Sequence, residues 1–342
     1  MPNIKVVPAS VDEFFMSKKK QNFVEIFSGA GLFGQAFLSS GFTPLLAVDA
    51  DSDAIQSYKN NIGVDAVCSD VRTVKFSDPT DVLIAGPPCQ GFSSLNRNRK
   101  DDPRNELCFE IVRWVRRCSP KVVVVENVAP FAKTEICDRL RKRLKRAGYN
   151  STVMVLDASH FGTPQCRRRT VVIASRDFDV ADFRLENRAA TTVREAWQKL
   201  PRKKEDPQGF AYPIPSELAL SRFKVIPTNG DRRDVMENAP NLAPQSWLRL
   251  RPNDNTGVWG RMDFDAPAPT IRTCFQNPSK GRYIHPKKNR VISIREAARL
   301  QQVPDHWFFA GSRSSVARQI GNGVPIGLGT ALAKGCKRLL AS

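Results

Sequence analysis

Asp81-Val82-Leu83-Ile84-Ala85-Gly86-Pro87-Pro88-Cys89-Gln90-Gly91-Phe92-Ser93 is the stretch from which the rest of the chain can be placed. Its apolar half, Val82 to Ala85, reads as a short strand buried on both faces. The strand ends on Gly86, and two prolines then fix the backbone, because each ring locks φ near −65° and biases the preceding residue towards extended conformations. A thiol carried at such a tip is aimed outward. The segment that follows, Gly91 to Arg104, holds Asn96, Arg97, Asn98, Arg99, Lys100 and Arg104, a cationic flap beside Cys89. Nearby cations lower a thiol's pKa from its usual value of about 8.5 and expose the thiolate nucleophile. Cys89 is the expected nucleophile.

Outward from this strand, apolar runs alternate with helical patterns. Phe23 to Phe27 predicts a strand, a glycine turn follows, and Phe33 to Ser40 predicts a helix. Leu45 to Val48 is a second strand ending on Asp49-Ala50-Asp51, followed by a helix through Ile55 and Tyr58. Leu107 to Arg117 predicts a helix, and Lys121 to Val125 a continuous apolar strand ending on Glu126-Asn127. The next helix places Ile136, Leu140 and Leu144 on one face and Arg139, Arg141, Lys142, Arg143, Lys145 and Arg146 largely on the others. Thr152 to Leu156 and Thr170 to Ala174 complete the strands. This rhythm predicts an α/β fold, a doubly wound and mostly parallel sheet, with ligands outside the carboxyl ends of the strands. The glycine turn, Asp49, Cys89 and Glu126 all fall at such ends.

Four segments are expected: a polar lead-in (1–20), a catalytic and cofactor-binding domain (21–180), a smaller irregular domain (181–290) rich in proline, tryptophan and basic residues, and a C-terminal segment (291–342) that returns to the first domain. Ser293-Ile294-Arg295-Glu296 is a capping box opening a helix that Pro304 stops. The 342 residues carry 53 Lys+Arg against 34 Asp+Glu, a net charge of +19, which favours a polyanionic partner. The eight cysteines have no metal-ligand spacing with His160, His285 and His306. Cysteines 68, 108, 118, 137, 166, 274 and 336 are expected to be packing residues in a reduced, intracellular chain. No run has the length of a membrane span, and the N-terminus lacks a signal-peptide core.

Gly29-Ala30-Gly31-Leu32-Phe33-Gly34 follows a strand and opens a helix, with Asp49 twenty residues beyond Gly29. Alone, the pattern fits a dinucleotide or another adenosine-bearing cofactor equally, with the acid on a ribose hydroxyl. Its company points away from hydride transfer, which needs neither a nucleophilic cysteine nor a second acid at Glu126. Glu126, at the mouth of an apolar strand, is expected to have its pKa raised by desolvation and so to hold or share a proton near neutrality. Gln165-x-Arg167-x-Arg169 alternates, which puts three side chains on one face; guanidiniums there could hold a carbonyl oxygen, a phosphate or the Cys89 thiolate.

Together these residues resemble the cytosine-5 DNA methyltransferases, from about Phe23 to Leu340 and in the family's order. Phe-x-Gly-x-Gly stands at Phe27 to Gly31, Pro-Pro-Cys-Gln at Pro87 to Gln90, and Glu-Asn-Val at Glu126 to Val128. Gln-x-Arg-x-Arg stands at Gln165 to Arg169, Arg-Glu-Ala-Ala-Arg-Leu-Gln at Arg295 to Gln301, and Gly-Asn-x-Val-Pro at Gly321 to Pro325. The resemblance implies the class I S-adenosylmethionine-dependent, Rossmann-like fold, with residues 181–290 as target-recognition domain. It implies catalytic roles for Cys89, Glu126, Arg167 and Arg169, flanked by Pro88 and Gln90, with Arg167 on the base carbonyl and Arg169 supporting it. Cofactor contacts are implied for Phe27, Gly29, Gly31, Leu32, Asp49, Asp70, Val71, Pro87, Asn322 and Val324, with Asp49 on the ribose and Asp70 on the adenine amino group. DNA contacts are implied for Ser93, Arg97, Arg99, Gln165 and Arg272.

The implied reaction is methylation of carbon 5 of a cytosine flipped out of duplex DNA. S-adenosylmethionine is the cofactor, S-adenosylhomocysteine the product, and no metal takes part. A cytoplasmic bacterial monomer is expected, with double-stranded DNA and possibly a cognate restriction endonuclease as partners. Leu32 stands where the family usually has glycine, which would alter the turn against the cofactor, and Asn96 stands where many relatives have glycine. The alternatives are a tRNA cytosine methyltransferase, faintly echoed by Thr273-Cys274-Phe275, a non-catalytic DNA-binding regulator, and a nicotinamide oxidoreductase.

Overall fold

A computed structural model describes residues 20–63, 65–88, 103–206, 208–249 and 257–342. Seven strands form one sheet: β1 (Asn22–Ile26), β2 (Thr43–Asp49), β3 (Ala66–Cys68), β4 (Val82–Ala85), β5 (Val122–Val128), β6 (Asn150–Asp157) and β7 (Arg168–Ser175). Their order is β3-β2-β1-β4-β5-β7-β6. The first five are parallel, whereas β7 runs antiparallel to both β5 and β6. The mostly parallel expectation holds, with one reversed strand, β7, next to the edge strand β6. The helices are α1 (Leu32–Ser39), α2 (Ser52–Ile62), α3 (Glu110–Cys118), α4 (Glu135–Arg146), α5 (Val193–Ala196), α6 (Glu217–Val225), α7 (Arg232–Asn238), α8 (Gln245–Leu248), α9 (Ile294–Leu300), α10 (Arg313–Asn322) and α11 (Ile326–Ala341).

Alternate residues of each central strand feed two cores, as the period-two geometry of a strand requires. Val24, Ile26, Leu83, Ala85, Val123 and Val125 pack with Ile111, Trp114 and Val115 of α3 and Leu140 and Leu144 of α4. Phe23, Val82, Ile84, Val122 and Val124 pack on the other face with Phe33 and Phe37 of α1 and Leu328, Leu332 and Cys336 of α11. The last helix therefore lies on the sheet built by the first half of the chain. Burying a side chain such as Leu332 or Val124 completely contributes roughly 1.5–3 kcal/mol. Where Leu107 to Arg117 was expected to be helical, a 3₁₀ segment (Pro103–Phe109) precedes α3.

Residues between β7 and α9 form a separate small core: Phe223, Ile226, Val235, Trp247, Trp259, Ile284 and Val291. Trp247 and Trp259 meet edge-on at 5.5 Å, with the Arg222 guanidinium about 5 Å from both rings. A third cluster joins this region to the sheet domain: Met262, Ile271, Phe275 and Tyr283 pack with Ala297 and Leu300 of α9, Ile320 of α10, and Ala30 and Leu32. Ser293 and Glu296 form the expected capping box. Among the described residues no helix is long and apolar enough to cross a membrane, and no group of His, Cys, Asp or Glu is arranged to hold a metal ion. Two cysteines expected inside the packing, Cys68 and Cys166, are instead exposed, because each faces outward at the end of a strand or just before one.

Candidate active site

The carboxyl ends of β1, β2, β4 and β5 converge, as a parallel sheet demands, on one cavity of about 410 Å³. Phe27 to Leu32 enter it from the turn after β1, with Phe27, Gly29 and Gly31 all at positive φ (55°, 53° and 88°). Gly31 caps α1, and a Cβ there would stand 2.7 Å from the Tyr58 ring, so only glycine fits. Leu32 is the first helical residue and is buried in the cluster joining the two regions. A Cβ on Gly323 would lie 2.4 Å from its side chain. Its departure from glycine therefore leaves the turn intact, because the left-handed positions precede it, and fills the junction.

Asp49 ends β2 inside the cavity. Its carboxylate accepts hydrogen bonds from the backbone amides of Gly29 (2.8 Å) and Asp51 (2.9 Å), and burial raises its pKa above the ordinary value. Asp70 also lines the cavity. Its carboxylate is gripped by Arg72 through Nε (3.0 Å) and Nη2 (2.5 Å), which holds it below the usual range. Val71, beside it, is fixed by the Trp114 indole donating to its carbonyl at 3.0 Å. Pro87, Asn322 and Val324 close the remaining wall. Of the ten expected cofactor positions, only Gly31 does not face the cavity directly; it shapes the turn that does.

Below the glycine turn lies Glu25, which accepts from the Tyr58 hydroxyl at 3.0 Å; burial pushes its pKa up to about 8. A Cβ on Gly34 would stand 2.2 Å from the Glu25 carboxylate, so glycine makes room for it. The Ser28 hydroxyl, on the same wall, is buried without a hydrogen-bond partner among the described residues. Motif reading gave Ser28 and Gln319 no site role. Their signal was adjacency, Ser28 to the glycine turn and Gln319 to Gly321-Asn322.

At the other end of the cavity Glu126 sits within β5, not at its mouth. Pairing with β7 carries the strand on to Val128, while the parallel neighbour β4 stops opposite Val125. Its Oε1 accepts from the Arg169 Nε at 2.8 Å, and both side chains are nearly buried. Asn127 donates from Nδ2 to the Pro87 carbonyl at 3.2 Å and accepts from the Val128 amide, so β5 pins the start of the loop that leads to the expected nucleophile. Pro88 lines the cavity. Cys89, Gln90, Ser93, Asn96, Arg97 and Arg99 lie outside the described residues.

The Gln-x-Arg-x-Arg pattern does alternate in burial, with Cys166 and Arg168 outward, although β7 begins only at Arg168. Its three inward side chains do different things. Arg169 meets Glu126. Arg167 lines the cavity but sends Nη1 to the Ile271 carbonyl (2.7 Å) and Nη2 to those of Gly321 (2.7 Å) and Gly323 (3.1 Å). Gln165 is completely buried; its amide donates to the Leu300 carbonyl and to Gln301 and accepts from the Ile271 amide. The expected DNA contact at Gln165 is thus corrected: no surface remains for DNA to touch, and the residue joins three segments instead. Arg272 is exposed, on the strip of chain that passes over Gly321.

The C-5 cytosine-specific DNA methylase family model matches residues 21–338. The chain belongs to this family. It is a DNA cytosine-5 methyltransferase with the class I methyltransferase fold. Type II methyltransferase M1.HphI of Haemophilus parahaemolyticus is 30% identical, over 94% of this chain and 89% of its own length. Type II methyltransferase M.Eco47II of Escherichia coli is also 30% identical, over 96% and 82% respectively. Among solved structures, a prophage-encoded E. coli protein described as a candidate DNA modification methyltransferase superposes with a TM-score of 0.68 at 25% identity, covering 94% of this chain and all of that one.

Proposed function

We propose that the enzyme methylates carbon 5 of a cytosine flipped out of a specific duplex sequence, through a covalent adduct with Cys89. The observation that carries this reading is the cavity itself, with a glycine cradle and two carboxylates at one end and the Glu126–Arg169 pair at the other. The adenosine end suits S-adenosylmethionine. Asp49 keeps lone pairs for ribose hydroxyls beyond its two amide bonds, and Asp70 presents a carboxylate to an exocyclic amine. When bound, the cofactor supplies an electrophilic methyl group and leaves as S-adenosylhomocysteine.

The chain's own residues prepare the base. Carbon 5 of cytosine is a poor nucleophile, so electrons must first enter the ring. The Cys89 thiolate forms a bond to carbon 6 while Glu126 shares a proton with ring nitrogen 3, and the electron pair of the 5,6 double bond becomes available at carbon 5. After methylation, loss of the carbon-5 proton restores the double bond and expels the thiolate. Arg169, already bonded to Glu126, is assigned to the base carbonyl, whereas Arg167 holds the frame by its three carbonyl contacts. This exchanges the roles expected of the two arginines. Residues 181–290 are assigned to target recognition and Arg272 to the DNA-facing rim. The Type II relatives suggest a cognate endonuclease as companion.

Duplex DNA of mixed sequence incubated with labelled S-adenosylmethionine, followed by base-resolution mapping of 5-methylcytosine, tests the reading. Methylation at one short motif, absent with Cys89→Ser, is expected. Binding of DNA without methylation by the wild type would favour a regulator.

A further inference from the structure

The charge of α4 is distributed along its length. Its first turn carries Glu135 and Asp138, and its last two turns carry Arg139, Arg141, Lys142, Arg143, Lys145 and Arg146. Cations in the last turn complement the helix dipole, but that effect falls off within one turn, and here the charge continues onto a second helix. Asn150 follows α4 and stands level with Ser175, which itself pairs with Val122, the first residue of β5. The Tyr149 hydroxyl donates to the Pro120 carbonyl at 2.6 Å. The last turn of α4 therefore lies at the amino end of β5, beside the last turn of α3 with Arg116 and Arg117.

This is the end of the sheet opposite the active site, separated from it by the length of α4, whose 12 residues span about 18 Å. Lys121 there pairs with Asp81 (2.9 Å) and Arg176 with Asp177 (3.1 Å). Arg116, Lys142, Lys145 and Arg146 are exposed and have no carboxylate partner among the described residues; Asp138 stands one turn before Lys142, and Asp78 lies near Cys118 at the end of α3.

We propose that this end is a second duplex-DNA surface. It holds one segment of DNA while another occupies the catalytic end, so that the enzyme passes directly between segments. Double-stranded DNA carries a charge every 1.7 Å or so, and a cation set against phosphates releases counterions without reading sequence. A duplex seated across the carboxyl ends of the strands cannot reach these four cations without bending round the sheet, so a second segment is the occupant that fits.

The test uses enzyme bound to a short labelled duplex and chased with unlabelled duplex at rising concentration. Release by the wild type should climb with chase concentration, because the second duplex docks before the first departs. In a variant combining Arg116→Gln, Lys142→Gln, Lys145→Gln and Arg146→Gln, release should become independent of the chase, with single-turnover methylation of the short duplex unchanged. The Lys142→Gln/Lys145→Gln double variant should lie between them, and it serves if the fourfold variant folds poorly. Binding of the second duplex should lose about 0.9 in its log–log salt slope for each phosphate contact removed. Wild-type release that ignores the chase, or a variant that climbs equally, overturns the proposal. Failure of the methyltransferase reading would show separately, as absence of methylated cytosine.

Discussion

The sheet domain and the region from about 181 to 290 are held together by different means. The sheet domain is an apolar sandwich in which strands such as Val122–Val125 bury both faces against helices. The second region has a small aromatic core and is stitched by arginines that donate to backbone carbonyls. Arg261 is buried and reaches the carbonyls of Ile226, His285, Lys288 and Phe223 and the Asn289 side chain. Arg282 reaches those of Asn229, Gly230 and Arg261. Arg299 ties α9 to the carbonyls of Ala196, Gln198 and Lys199 and pairs with Asp305. A region with little regular backbone pairing leaves many carbonyls to satisfy, and a guanidinium with five donors does this at one stroke. The described residues that line the cavity come from the sheet domain, where position is set by strand register, and from α10 and the turn after it; none comes from 181–290.

Substitutions should separate the two most clearly at the base end of the cavity. Glu126→Gln keeps the size of the side chain and removes its proton-sharing ability. Turnover should fall about 10²–10⁴-fold, the range of general acid–base catalysis, while S-adenosylmethionine binding by titration persists. Next in size, Arg261→Met should orphan three buried carbonyls, those of Phe223, Ile226 and His285, each costing about 1–3 kcal/mol. Hydrogen exchange should then accelerate through 220–290 while the strands stay protected and cofactor still binds. Loss of cofactor binding would mean that the two regions fold as one unit.

The paired arginines should split in the same way. Arg169→Lys should lower kcat by about 10²-fold, the scale of one lost transition-state donor, with little change in stability. Arg167→Lys should weaken the fold by about 1–3 kcal/mol and leave turnover of the folded fraction near the wild-type value.

The smallest effects are of pH, and they have opposite signs in the two regions. Glu25 is raised from 4.5 to about 8 by burial. Its contribution to stability is complete below pH 4.5 and is lost as pH rises towards 8. His285, stacked on Trp197 at 5.3 Å, is lowered from 6.5 to about 4 by burial. Its neutral form is stable above pH 6.5, and that stability is lost as pH falls towards 4. Urea midpoints of Glu25→Gln and His285→Gln against pH should each lose one of these slopes.

Much of the sheet domain was legible because strand and helix periods are written in single residues. Val82–Ala85 and Lys121–Val125 announced buried strands, and Ser293–Glu296 its cap. The antiparallel entry of β7 was not legible, since period two is the same in either direction. Gln165 illustrates the limit at the site: alternation told which way it points, but not that Leu300, Gln301 and Ile271 would meet it there. Arg167 and Arg169 share a face, and only the fold decides that one finds carbonyls and the other Glu126. The core of Trp247, Trp259 and Phe223 has no period to read, because its residues come from short helices and turns far apart in the chain.

The central claim is the covalent adduct at Cys89, and a target cytosine carrying fluorine at carbon 5 tests it most directly. Fluorine cannot leave as a cation in place of the proton, so the thiol should remain bonded to carbon 6 after methyl transfer. With that duplex and S-adenosylmethionine, a denaturation-resistant protein–DNA complex is predicted, with the cross-link mapped by mass spectrometry to Cys89 and none formed by Cys89→Ser. Methylation of the ordinary duplex with no trapped complex, or a cross-link at another residue, would contradict the account.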